Sequence, residues 1–77
     1  MPNIKVYSTP TCPYCIRAKN YLKEHNIPFE NIDVSSDEKG LAEMIKISGQ
    51  MGVPVILIDG DMIIGFDQTR IATKLGL

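Results

Sequence analysis

Cys12-Pro13-Tyr14-Cys15 holds both cysteines of this 77-residue chain and stands where a strand-like run gives way to a helix-like one. Few features restrict a fold more. Proline is favoured at the first position of a helix, where its missing N–H would have had no partner, so Pro13 makes Cys12 the expected N-cap. Two thiols separated by two residues then share the first turn, close enough to exchange a disulfide. The first is the expected attacker and the second the resolver.

Periodicity on either side of the pair supplies the rest of the architecture. Ile4-Lys5-Val6-Tyr7 alternates apolar and polar and reads as a strand, broken by Ser8-Thr9-Pro10-Thr11. From Pro13 onward Cys15, Ala18 and Leu22 recur at three- and four-residue spacing, and His25-Asn26 followed by Pro28 gives a helix stop. Phe29 to Val34 is a short second strand. Ser35-Ser36-Asp37-Glu38 reads as a capping box with Ser35 as N-cap, opening a helix whose face is Leu41, Met44, Ile45 and Ser48 and which Gly49 closes. Gly40 in its first turn costs roughly 1 kcal/mol against alanine. Val53 to Ile58 is a buried strand, Asp59-Gly60 a two-residue hairpin turn, and Met62-Ile63-Ile64 the strand it returns. Asp67 caps a last helix with Ile71 and Leu75 on one face. The order βαβαββα makes the first two strands parallel and adds an antiparallel hairpin, in one domain spanning residues 1–77.

Composition narrows the chemistry. With 44% hydrophobic and 22% charged residues the chain is an ordinary globular one. No run approaches the roughly 18–20 apolar residues of a membrane helix and no leader is visible after Met1-Pro2, so a cytoplasmic address is expected. In a reducing compartment two cysteines serve chemistry rather than a permanent staple. The net charge of −1 argues against nucleic-acid or membrane-surface binding, yet it is unevenly spread. Lys5, Arg17, Lys19 and Lys23 face only Glu24 in residues 1–25, a balance of +3, whereas the remainder carries four basic and eight acidic side chains.

At an N-cap the Cys12 sulfur meets the free N–H groups of Tyr14 and Cys15 at the positive end of the helix dipole. Such a cysteine has its pKa lowered from about 8.5 to roughly 3.5–7.5, and Arg17 and Lys19 are expected to add to the effect. Cys15, inside the helix, stays a thiol until a mixed disulfide on Cys12 needs resolving. The same spacing is half of many zinc sites, but a structural site needs four ligands. His25, some three turns along the helix, is too distant to join them, so no metal is expected. At Val53-Pro54 two readings stand: a simple strand boundary, or a cis proline that exposes the Val53 backbone to a peptide-like substrate.

Over nearly its whole length the chain resembles a glutaredoxin. The resemblance rests on Tyr7, Thr11-Cys12-Pro13-Tyr14-Cys15, Arg17-Ala18-Lys19, Ser48-Gly49, Val53-Pro54 and Ile64-Gly65-Phe66-Asp67 in that order. It implies a thioredoxin fold: a four-stranded mixed sheet in the order 2-1-3-4 flanked by three helices, with Pro54 cis beside the cysteines. It further implies a monomeric thiol–disulfide oxidoreductase with no tightly bound cofactor and glutathione as co-substrate, acting on glutathionylated and disulfide-containing proteins. Cys12 would attack, Cys15 would resolve, and Pro13, Tyr14 and Pro54 would support them. Glutathione would contact Tyr14, Val53, Pro54, Phe66 and Asp67, with its γ-glutamyl carboxylate on the N–H groups of Phe66 and Asp67.

Two positions depart from the family pattern. Many glutaredoxins carry lysine three residues before the first cysteine, where this chain has Thr9. The family's Gly-Gly pair stands here as Ile64-Gly65, and the following Phe66 is similar to small redoxins that draw electrons from thioredoxin reductase and reduce ribonucleotide reductase. An iron–sulfur carrier, bridged by Cys12 of two chains and two glutathiones, is a third reading, opposed by Pro13 and Cys15.

Overall fold

The computed structural model describes residues 3–76; residues 1, 2 and 77, which the expected single domain includes, lie outside the described residues. Seven elements follow one another: β1 (Ile4–Ser8), α1 (Pro13–Glu24), β2 (Glu30–Asp33), α2 (Glu38–Ser48), β3 (Val55–Ile58), β4 (Asp61–Ile64) and α3 (Gln68–Leu75). The sheet order is β2-β1-β3-β4. β1 and β2 run parallel, while β3 is antiparallel to both β1 and β4. This is the thioredoxin fold that the resemblance implies.

The twofold alternation of strand side chains divides the core between the two faces of the sheet. Ile4, Val6, Ile56, Ile58 and Ile63 meet Ala18 and Leu22 of α1 and Ile71 of α3 on one face. Tyr7 and Val55 meet Met44 of α2 and Val34 on the other. Leu22, Met44 and Ile71 are wholly buried, and truncating any of them to alanine costs about 2–5 kcal/mol. The three helices thereby fix the loops at the C-terminal end of β1 and the N-terminal end of β3, where the cysteines and Pro54 lie.

Several element ends differ from the expected ones. β1 continues through Ser8, which pairs with Asp33 and whose carbonyl accepts from Val34 N–H at 3.0 Å. β2 is correspondingly shorter than Phe29 to Val34. β3 begins at Val55 rather than Val53, because Pro54 has no N–H to give the ladder. Instead the Pro54 carbonyl accepts from Gly65 N–H at 2.8 Å. The hairpin turn is as expected, with φ of 48° at Asp59 and 89° at Gly60, the pair of positive values a type I′ turn needs.

The cap of α2 is a correction. Its N-cap is Asp37, whose carboxylate accepts from Gly40 N–H at 2.9 Å. Ser35 is unavailable for that role: its N–H and hydroxyl both donate to the Asp33 carboxylate, a local turn that competes with helix initiation. Those two bonds hold Asp33 below the usual carboxylate range. Gly40 itself is required by packing, since a Cβ there would lie 2.5 Å from Cγ2 of Ile32.

Candidate functional site

The cysteine pair sits at the start of α1 as the proline predicts. Cys12 is the N-cap, with extended backbone angles, and Pro13 follows at the head of the helix. The Cys15 N–H donates to the Cys12 sulfur at 3.4 Å, and the same sulfur lies 3.9 Å from the Val53 carbonyl oxygen. Both cysteines are free thiols, Cys12 half-buried and Cys15 wholly buried. Val53 is half-buried, Pro54 is buried, and the bond between them is cis. The structure thus brings Cys12, Cys15, Val53 and Pro54 together from positions some forty residues apart in sequence.

The environment separates the two thiols electrostatically. Partial burial opposes ionisation of Cys12, but the Cys15 thiol, the N–H groups of Cys15 and Tyr14, and the Lys19 charge outweigh it, and the net shift is downward. Burial pushes the Cys15 thiol up to about 11, with its hydrogen bond to Cys12 and the Cys12 charge acting in the same sense; a backbone bond from Thr9 and the Lys19 charge oppose them. Ionisation of Cys12 ahead of Cys15 is the order this arrangement favours. The pair can attack a disulfide through Cys12 and keep Cys15 in reserve.

Of the two cations expected to favour the thiolate, only Lys19 acts on the pair. Arg17 instead lies over the Tyr14 ring, 5.7 Å from its centroid, a cation–π contact that holds both side chains on the outer surface of α1. Tyr14 is 58% exposed, free to meet a ligand beside Cys12.

Phe66 and Asp67 occupy the β4–α3 junction. Asp67 caps α3 by accepting from Arg70 N–H at 3.1 Å. The Phe66 ring packs edge-on against Tyr21, 6.0 Å between centroids, and helps line a shallow groove with Arg17, Asn20 and Gln68. This junction is tied to the cysteine side through the Gly65–Pro54 hydrogen bond alone among the described backbone contacts outside the helices and strands. Thr9, at the position of the family lysine, accepts from Cys12 N–H through its carbonyl at 3.4 Å.

Two features here were not legible in the sequence. The Tyr7 hydroxyl, buried beneath α2, donates to Glu43 at 2.5 Å, and Lys5 completes the cluster at 3.7 Å. Burial and that carboxylate raise the Tyr7 pKa, so the phenol stays neutral. The loop from Ser48 to Val53 is the second: Ser48 Oγ lies 2.6 Å from the Met44 carbonyl oxygen and 2.9 Å from that of Gln50, its one proton shared between the two acceptors. No signal short of the folded loop predicts either network.

A family model for glutaredoxin matches residues 4–63. The chain is 53% identical over 68 residues to an uncharacterized glutaredoxin-like 8.6 kDa protein in the rubredoxin operon of Clostridium pasteurianum, covering 88% of this chain and 91% of that one. It is 40% identical over 67 residues to Glutaredoxin 3 of Escherichia coli strain K12, covering 87% of this chain and 81% of the relative. Among solved structures it is similar to a buckwheat glutaredoxin–glutathione complex, with a TM-score of 0.76, 26% identity, and coverage of 97% of this chain and 71% of that one.

Proposed function

We propose that this chain, which belongs to the glutaredoxin family and is therefore a thiol–disulfide oxidoreductase, takes its electrons from glutathione through a Cys12 thiolate with Cys15 as resolving thiol. The observation that carries the reading is the Cys12 sulfur, held at the start of α1 by the Cys15 N–H and facing the Val53 carbonyl. In the first step the Cys12 thiolate attacks the glutathione sulfur of a mixed disulfide, forming a Cys12–glutathione disulfide and releasing the protein thiolate, which takes a proton. A second glutathione thiolate then attacks the glutathione sulfur of that disulfide, giving oxidised glutathione and restoring Cys12. With a protein disulfide, the Cys12 thiolate attacks one sulfur and displaces the other as a thiolate, which takes a proton; Cys15 then loses its proton and attacks the Cys12 sulfur of that mixed disulfide, closing the Cys12–Cys15 bond as the second substrate thiolate leaves. Two glutathiones reopen it.

Glutathione would run antiparallel beside Val53 and Pro54, pack on the exposed Tyr14, and direct its γ-glutamyl carboxylate to the N–H groups of Phe66 and Asp67. The start of α3 favours that anion through its unpaired donors and the positive end of its dipole. A coupled assay on a glutathionylated substrate tests the reading. Cys12→Ser should abolish turnover, while Cys15→Ser should keep deglutathionylation and lose protein-disulfide reduction. A Cys12→Ser variant that still turns over refutes the mechanism.

Thr9 and Ile64-Gly65-Phe66 favour a second reading, in which thioredoxin reductase supplies the electrons and a reductase such as that of ribonucleotides receives them. The Phe66 ring, seated against Tyr21, fills space beside the start of α3. Supplying the oxidised protein with each reductant in turn decides the donor.

A further inference from the structure

The segment between α2 and the Val53 carbonyl is closed on itself by one side chain. Gln50 Nε2 donates to the Gly52 carbonyl at 3.0 Å, and Gly52 N–H donates to Gln50 Oε1 at 2.5 Å. One carboxamide therefore satisfies both backbone groups of the residue immediately before Val53. Its own backbone is held in turn: Gln50 N–H donates to Ser48 Oγ at 3.4 Å, and the Gln50 carbonyl shares the one proton of that hydroxyl with the Met44 carbonyl. Ser48 is anchored on the last turn of α2 through Met44. The chain of bonds runs without a break from the helix to the peptide that precedes Val53.

We infer that Gln50 is a positioning residue for substrate binding, whose carboxamide ring on Gly52 pre-orders the Val53 backbone and leaves Val53, rather than Gly52, to pair with a peptide-like disulfide substrate. The inference rests on the reading that such a substrate pairs with Val53. Its physical basis is that a loop already ordered loses less entropy on binding. It also rests on occupancy: a Gly52 N–H and carbonyl already bonded do not compete with Val53 for the strand-like pairing of the ligand. Gly52 is glycine for the same reason, because a Cβ at that position would fall 2.5 Å from Gln50 Oε1. Its backbone is not in the left-handed region, so alanine fits the chain and meets only the end of a flexible side chain.

That steric fact supplies a second, independent way to open the ring. Gln50→Ala removes the carboxamide, and Gly52→Ala evicts it. Each variant should raise KM for a glutathionylated peptide about five- to thirtyfold, the penalty of ordering roughly one backbone residue on binding, with kcat retained. The pH profile of Cys12 alkylation should be unchanged in both. The double variant should be no worse than either single one, since both remove the same ring. In the free protein the Gly52 amide should exchange with solvent more slowly in wild type than in Gln50→Ala. Equal exchange rates, unchanged KM in both variants, or additive effects would each overturn the inference. If the wild type fails to act on the glutathionylated peptide, glutathione specificity is wrong. The same KM comparison on a disulfide-bonded peptide, with the exchange measurement, then decides the role of Gln50 separately.

Discussion

Replacing Gly40 with alanine sets two effects of opposite sign against each other at the seat of α2. Helix propensity favours alanine by about 1 kcal/mol. Against it, the added Cβ would lie 2.5 Å from Cγ2 of Ile32 and 3.2 Å from Cγ of Asp37. Cγ2 is bonded directly to the Ile32 Cβ on a side chain that is stiff at χ1, so relief requires β2 or the first turn of α2 to move. Overpacking of this kind costs about 1–3 kcal/mol, and displacement of Asp37 weakens the cap bond to Gly40 N–H. The net expectation is a loss of about 1 kcal/mol, or about 4–8 °C in Tm for a domain of this size. Urea unfolding followed by far-ultraviolet circular dichroism measures it, with an unchanged slope showing that the unfolded state is not the cause. The decisive comparison is the same substitution in an Ile32→Ala background, where Cγ2 is gone. There Gly40→Ala should be neutral or stabilising by up to about 1 kcal/mol. A stabilising Gly40→Ala in the wild type, or an equal cost in both backgrounds, refutes the steric argument.

Three further outcomes follow from the site. Cys15 keeps its proton up to about 11 in the folded state, against about 8.5 when unfolded; the stabilisation is fully present below the unfolded value and lost as pH rises toward 11. The urea midpoint of the reduced protein should therefore fall between about pH 9 and 11, and Cys15→Ala should leave only the Tyr7 contribution at the alkaline end. Lys19→Gln should move the ionisation midpoint of Cys12 upward, most strongly at low salt, whereas Lys19→Arg and Arg17→Gln should leave it in place; thiolate absorbance reads the result. Thr9→Lys should lower KM for a glutathionylated substrate about two- to fivefold, the worth of one exposed ion pair, without changing kcat in the coupled assay.

What the sequence made readable was whatever depends on neighbours along the chain. Cys12 as N-cap follows from Pro13 alone, and the alternation in β1 and the spacing of Cys15, Ala18 and Leu22 place the strand and helix that hold it. The cap of α2 failed for an instructive reason: Ser35 and Asp37 both have capping chemistry, and the choice falls to Asp33, which takes the Ser35 hydroxyl and N–H for its own turn. Gly40 looked like a local weakness because propensity was the only effect in view; the Ile32 contact that requires it spans two elements. Arg17 and Lys19 looked equivalent for a similar reason, since only the folded chain shows one stacked on Tyr14 and the other acting on the thiols.

The same distinction bears on the electron donor. A cysteine at a helix start, with a buried thiol one turn later, does not by itself distinguish the two proposed donors, and it is encoded within four residues. On the proposed function, selection between donors would fall to surfaces that meet Cys12 only after folding: the Val53 backbone, ordered from α2 through Ser48 and Gln50, and the Phe66–Asp67 junction, tied to Pro54 by the Gly65 N–H. Because the bonds that order each of them lie on Gln50, Gly52 and Gly65 rather than on the sulfur, substrate affinity can change there while the thiolate stays as it is. Substitutions at Thr9, Gln50 and Gly52 are accordingly expected to act on KM, and those at Lys19 on the pH dependence of attack. A substitution at Gln50 that moved the Cys12 ionisation instead would show that the two functions are not separable in this fold.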